Sequence, residues 1–136
     1  MLAAGYDYAV LFGRRFGASL HLLYVVEPPT FTSPDATVFV GQAIEAESMQ
    51  GQKCLDAVLV KLQAGELTSV SGEIAVGLAA DVTVARANSG KYDLLLLGTH
   101  GRAGLKHLFL GSVAEQVIRH GDIPVVTVRS LPHAKK

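Results

Sequence analysis

Tyr92-Asp93-Leu94-Leu95-Leu96-Leu97 runs directly into Gly98-Thr99-His100-Gly101-Arg102-Ala103-Gly104-Leu105-Lys106-His107-Leu108-Phe109-Leu110-Gly111-Ser112, and a helix-like segment, Val113 to His120, follows. Four consecutive leucines bounded by Asp93 and Gly98 are too short for an independent helix, so Tyr92 to Leu97 reads as a buried strand. A strand, a glycine-bearing loop and a helix in that order form the usual setting for an anion site. Glycine at 98 and 101 permits positive φ and lets a bulky anion approach main-chain N–H groups that a Cβ would shield. Gly111 does the same at the helix entrance, where the first N–H groups and the helix dipole both favour negative charge.

Further donors lie in the same run. Ser112 and Thr99 can each offer a hydroxyl to a phosphate oxygen, and Arg102 and Lys106 can supply positive charge or point into solvent. Ser112 also stands three residues before Glu115, the spacing of a capping box, and the two roles are compatible through different donors. The glycines would equally serve a tight crossover. His100 and His107 have no other histidine, cysteine or carboxylate at ligand spacing, so no metal site is expected there.

Outward from this run, the chain alternates strand and helix signals. Leu2, Tyr6, Ala9, Gly13 and Phe16 share one helical face, and Gly17 follows as a stop. Leu20 to Val26 is a short apolar run ended by Glu27-Pro28-Pro29 and reads as a strand buried on both faces. A loop-like stretch, Glu27 to Ser33, leads to an amphipathic helix over Gln42 to Ala64, closed by Gly65. Val70 to Val76 alternates enough to suggest a strand near an edge. Leu78 to Ala87 reads as a helix ending at Asn88-Ser89-Gly90, and Pro124 to Val128 as a last strand. Alternation of this kind predicts an α/β fold: an open parallel sheet covered by helices on both faces, with ligands beyond the carboxyl ends of the strands. A single domain over residues 1–136 is expected.

Composition narrows the function. The 12 Lys and Arg balance the 12 Asp and Glu, so no overall field draws the chain to nucleic acid or anionic membrane, and neither is expected as a partner. No apolar stretch approaches the roughly 20 residues that span a bilayer. The one cysteine, Cys54, cannot form an internal disulfide, and no leader-like segment opens the chain, so the cytoplasm is the expected location. His21 falls inside a strand pattern and reads as packed, and Cys54 as inert. The signatures of P-loop NTPases, Rossmann dehydrogenases and α/β-hydrolases are absent.

The run Gly98 to Ser112 resembles the nucleotide-binding branch of the universal stress protein family, with G-x-x-G at Gly98 to Gly101, nine residues from Arg102 to Leu110, and Gly111-Ser112. Arg14 to Leu23 is similar to the family's first helix leading into its second strand, and Gly121 to Val128 to its final strand. The resemblance implies a Rossmann-like sheet of the adenine nucleotide α-hydrolase kind. It further implies binding of ATP, or of AMP or ADP, with magnesium as an accompanying ion. Gly98, Thr99, His100, Gly101, Arg102, Gly111, Ser112 and Val113 would hold phosphates and ribose, and the main chain of Val25 or Val26 would contact adenine. It implies a homodimer paired through Val125 to Val128, and a nucleotide-dependent switch rather than a fast enzyme, with hydrolysis very slow at most. The sequence departs from the family in lacking a short apolar first strand ending in aspartate, and Asp7 lies in the helix pattern and is no substitute. The central position would be filled by another segment or chain, or by a piece of the natural protein outside this sequence, which is the favoured expectation. An interaction module of the same fold without nucleotide is the alternative.

Overall fold

Helix α1, Leu2–Phe16, ends where Gly17 takes φ +60°, a left-handed conformation that glycine adopts without strain. It is followed by β1, Leu20–Val26, α2, Thr37–Ala64, β2, Val70–Val76, α3, Ala79–Ala87, β3, Leu95–Gly98, α4, Ser112–His120, and β4, Val125–Val128. The computed structural model describes residues 2–30, 37–65, 67, 69–98 and 111–129.

The fold is α/β and Rossmann-like, with every strand pairing parallel. β1 pairs with β2 from Leu20↔Val70 to Val26↔Val76, and β3 with β4 from Leu95↔Val125 to Gly98↔Val128. Among the described residues the two pairs form separate sheets, ordered β1-β2 and β3-β4.

Helices bridge what the strands do not. α2 lies on β1 and β2, α1 on β3 and β4, and α3 touches both β1 and α4. Asn88, just past α3, donates to the His120 carbonyl at 3.2 Å and accepts from the Asp122 N–H at 2.7 Å, tying the ends of α3 and α4 together. Arg14 reaches the Gly65 carbonyl at 3.2 Å, and the Lys61 ammonium sits 4.6 Å from the centroid of the Tyr6 ring. Buried apolar groups come from every layer: Val26, Leu55, Leu62, Leu67, Ala80, Ala87, Ala114, Val117 and Val128.

Three sequence expectations shift. α2 begins at Thr37 rather than Gln42, because Val38 and Phe39 of its first turn are exposed and so do not continue the apolar stripe. β3 begins at Leu95 rather than Tyr92. Its partner β4 starts at Val125, so among the described residues no strand partner is left for Leu94, and Tyr92 instead stacks on His21 at 5.6 Å between centroids. β1, expected to be buried on both faces, is half-buried through Val25, and only Val26 is buried. One of its edges has no neighbouring strand among the described residues.

Candidate functional site

The carboxyl ends of β1 and β3 and the first turns of α3 and α4 supply the candidate site. Both helices begin just after a strand or its loop, and each leaves unpaired N–H groups at its start. They satisfy them differently. Leu78, the N-cap of α3, has no side chain able to cap, and Glu27, just beyond β1, fills the role: its Oε1 accepts from the Ala79 N–H at 2.8 Å. No side chain caps α4 among the described residues. Its first turn closes through the main chain alone, with Glu115 N–H donating to the Gly111 carbonyl at 2.9 Å.

Gly111 is the N-cap of α4, and Ser112 is therefore its first helical residue. The capping box expected of Ser112 and Glu115 does not form. A capping serine must lie outside the helix in extended geometry, and Gly111 holds that place with φ −58° and ψ 151°. Glu115 turns along the helix to Arg119 at 2.8 Å. Ser112 is exposed at the helix mouth and Val113 is half-buried behind it.

The expected positive φ is not found at Gly98 or Gly111; the described glycines that take one are Gly17, Gly77 and Gly90. Among the described residues, a Cβ built on Gly98 would meet no atom nearer than the Val128 carbonyl oxygen at 4.0 Å. Thr99, His100, Gly101 and Arg102, with Lys106 and His107, lie outside the described residues.

Of the two valines at the end of β1, the structure separates the roles. The Val26 carbonyl accepts from the Gly77 N–H at 3.0 Å, and Leu20 N–H donates to Ser69 at 2.9 Å. Even-numbered residues of β1 therefore point their main-chain groups at β2, and Val25 points its own away from it. Val25 is the residue whose main chain can meet a ligand at the strand end.

Sequence reasoning missed the Glu27 cap, whose partner lies far along the chain. It also missed a polar cluster at the opposite end of β1. His21 Nδ1 and Ser71 Oγ are 2.8 Å apart, and His21 Nε2 lies 3.8 Å from Glu73, whose Oε1 accepts from Arg86 Nε at 2.5 Å. The Arg86 hydrogen bond, aided by the Arg86 and His21 charges and opposed by burial, holds the Glu73 carboxyl below its ordinary value of 4.5. A depressed carboxyl contributes stability that is present above its unfolded value and is lost as pH falls through the folded one. Arg86→Gln should flatten that acid-side loss, read as urea-denaturation midpoints at about pH 5 and about pH 3. An equal loss in both proteins would remove this pair as the source. Cys54 is free and half-buried on α2, and among the described residues no three His, Cys, Asp or Glu side chains come together as a metal site. No described helix is long and apolar enough to cross a membrane.

Comparison with known proteins gives this arrangement its relatives. Residues 3–129 match the model of the universal stress protein family. A universal stress protein of Methanocaldococcus jannaschii is 32% identical over 123 residues, covering 90% of this chain and 71% of its own length. In structure, the universal stress protein UspA from Lactobacillus plantarum superposes with a TM-score of 0.86 at 22% identity, over 93% of this chain and 88% of that one. A universal stress protein family member from Arabidopsis thaliana, solved with AMP bound, superposes with a TM-score of 0.60 at 18% identity, over 97% and 82%.

Proposed function

Because the chain belongs to the universal stress protein family, we propose that it binds an adenine nucleotide at the carboxyl ends of β1 and β3 and works as a nucleotide-dependent switch in stress response. The observation that carries this reading is the contrast between the two helix starts. α3 has its N-terminal donor taken by the Glu27 carboxylate, while no side chain among the described residues caps α4, which opens beside Gly111 and Ser112. An anion of phosphate chemistry suits the second start, because main-chain N–H groups and the helix dipole point at it together. Thr99, His100, Gly101 and Arg102 continue this surface in the proposal, and the Val25 main chain receives the adenine edge. AMP, ADP and ATP share these contacts, and magnesium would accompany the longer phosphates. The AMP-bound Arabidopsis relative supports the ligand class.

Binding, not fast turnover, is the proposed activity. Thermal unfolding with and without AMP and ATP tests it: a ligand that binds only the folded chain at about 100 times its Kd adds about 2.7 kcal/mol. A flat response to both nucleotides would transfer the assignment to a nucleotide-free interaction module of the same fold.

Homodimerisation through β4 completes the proposal. Leu95 N–H donates to the Pro124 carbonyl at 2.9 Å, so even-numbered residues of β4 face β3, and Val125 and Thr127 turn their main-chain groups outward. Thr127→Pro removes one outward donor and leaves the β3–β4 ladder untouched, as an edge strand tolerates. The expected result in sedimentation is a dimeric parent and a folded monomeric variant. A variant that still dimerises would place the interface elsewhere.

A further inference from the structure

A serine and a histidine meet on one face of the β1–β2 pair, at the end away from the proposed nucleotide site. His21 and Ser71 are register partners across the parallel ladder, so their side chains rise from the same face. His21 Nδ1 stands 2.8 Å from Ser71 Oγ. The other ring nitrogen, Nε2, is buried, has no hydrogen-bond partner among the described residues, and lies 3.8 Å from Glu73 Oε1. Glu73 is held by Arg86 of α3, whose hydrogen bond keeps its carboxyl below the ordinary value, so it faces the ring as a carboxylate at neutral pH. A neutral imidazole beside a carboxylate keeps its proton on the nearer nitrogen, here Nε2. Nδ1 is then unprotonated, and the Ser71 hydroxyl donates to it. Tyr92 stacks on the ring at 5.6 Å between centroids and restrains its plane.

A hydroxyl, a base within hydrogen-bond reach and a third group orienting that base make an activated nucleophile. Ser71 is exposed, so an electrophile has access to its oxygen. We propose that Ser71 is a self-acylating nucleophile with His21 as its general base, and that its reagent is an activated ester of a small carboxylic acid. Ser71 Oγ bonds to the acyl carbon while its proton passes to His21 Nδ1. The bond from the acyl carbon to the leaving oxygen then breaks, and that oxygen keeps the electron pair and takes the proton from His21. Acylserine and an alcohol result, with no change of oxidation state. A main-chain donor stands beside the reaction. The Leu20 to Ser69 and Gly77 to Val26 bonds turn the main chain of odd-numbered β2 residues towards β1. The N–H of Gly72, next after Ser71, therefore points to the other edge, where no described strand pairs with β2, and is offered to the developing oxyanion.

The test is incubation of the whole chain with p-nitrophenyl acetate, followed by proteolytic peptide mapping of the acetyl group over time. Ser69 is an internal control: it too is exposed, and its hydroxyl donates to Ser19 Oγ at 2.8 Å rather than to a histidine. General-base assistance is worth about 100-fold or more, so Ser71 should be acetylated about 100 times faster than Ser69. His21→Ala should slow Ser71 by a similar factor, and imidazole in solution should restore part of the rate. Glu73 acts through the ring as a positioning residue, so nitrogen NMR should find the His21 proton on Nε2, and Glu73→Gln should move the two ring resonances towards each other. The proposal is overturned by acetyl groups confined to Cys54 or lysines, by equal rates at Ser71 and Ser69, by an unchanged Ser71 rate in His21→Ala, or by ring resonances that Glu73→Gln leaves in place. Mapping the parent needs no variant, so the proposal stands or falls even where a variant does not fold. Nucleotide binding is titrated separately, and failure here leaves that reading standing.

Discussion

Replacing Gly111 with valine is expected to weaken adenine nucleotide binding by about 100-fold, or about 2.7 kcal/mol, without unfolding the protein. The two halves of that expectation have separate causes. Gly111 sits at φ −58° and ψ 151°, a conformation open to any L-residue, so valine brings no backbone strain. The side chain it adds stands at the N-cap of α4, where an incoming phosphate would approach the first helical N–H groups. Shielding those donors removes one or two charge-assisted hydrogen bonds, each worth about 1.5–3 kcal/mol. Gly111→Ala should fall between the parent and valine. Ser112→Ala, which deletes one hydroxyl and leaves the helix mouth open, should weaken binding by about tenfold or less, the scale of one hydrogen bond. Calorimetric titration with AMP measures all three, and circular dichroism checks the fold. Unchanged affinity in Gly111→Val would move the phosphate site away from α4 altogether.

The order and type of every described element could be read from periodicity, run length and local stop signals. Leu20–Val26 and Val70–Val76 have the bounds that their apolar runs suggest, because Gly77 and the Glu27-Pro28 junction are strong local stops. What could not be read depends on partners distant in sequence. The length of β3 is set by where β4 starts, not by the leucine run. The cap of α3 comes from Glu27, 52 residues away, and leaves no local signal beyond the lack of a capping side chain at Leu78. The S-x-x-E spacing at Ser112 and Glu115 suggested a cap, but helix registers move by one residue without changing composition. Here the helix starts one residue too early for the box to close.

The site was legible as a pattern of glycines and a strand-to-helix junction. Its chemistry was less so, since two physical meanings of glycine look alike in sequence. Gly17 takes φ +60° and marks a backbone turn that other residues resist, while Gly98 takes no positive φ and a Cβ built on it would have no described atom nearer than 4.0 Å. Only φ separates them. The pair Val25 and Val26 was similarly degenerate until the Gly77 bond fixed the ladder phase and left Val25 as the outward residue.

Two glycines within α2 should respond to substitution with opposite signs, and the difference isolates packing of the helix on β1. Glycine inside a helix is less favourable than alanine by about 1 kcal/mol. At Gly41 a Cβ would meet nothing within 4 Å, so Gly41→Ala is expected to stabilise the protein by about that amount. Gly51 is buried, and a Cβ there would stand 2.6 Å from Tyr24 Cε1 and 2.7 Å from Cδ1. That contact is closer than carbon atoms tolerate, and the ring rises from the middle of a paired strand, so relief requires either an off-rotamer Tyr24 or α2 moving off β1. Overpacking of this kind costs about 1–3 kcal/mol. For alanine it offsets or exceeds the gain in propensity. For valine, whose extra methyls enlarge the clash and whose branching removes most of the propensity gain, the net expectation is a loss of about 2–3 kcal/mol. Urea denaturation of the parent, Gly41→Ala and Gly51→Val measures the split. Because Tyr24 directly precedes Val25, displacement of β1 should also weaken nucleotide binding in Gly51→Val and not in Gly41→Ala. A Gly51→Val protein as stable as the parent would mean that α2 does not lie against Tyr24.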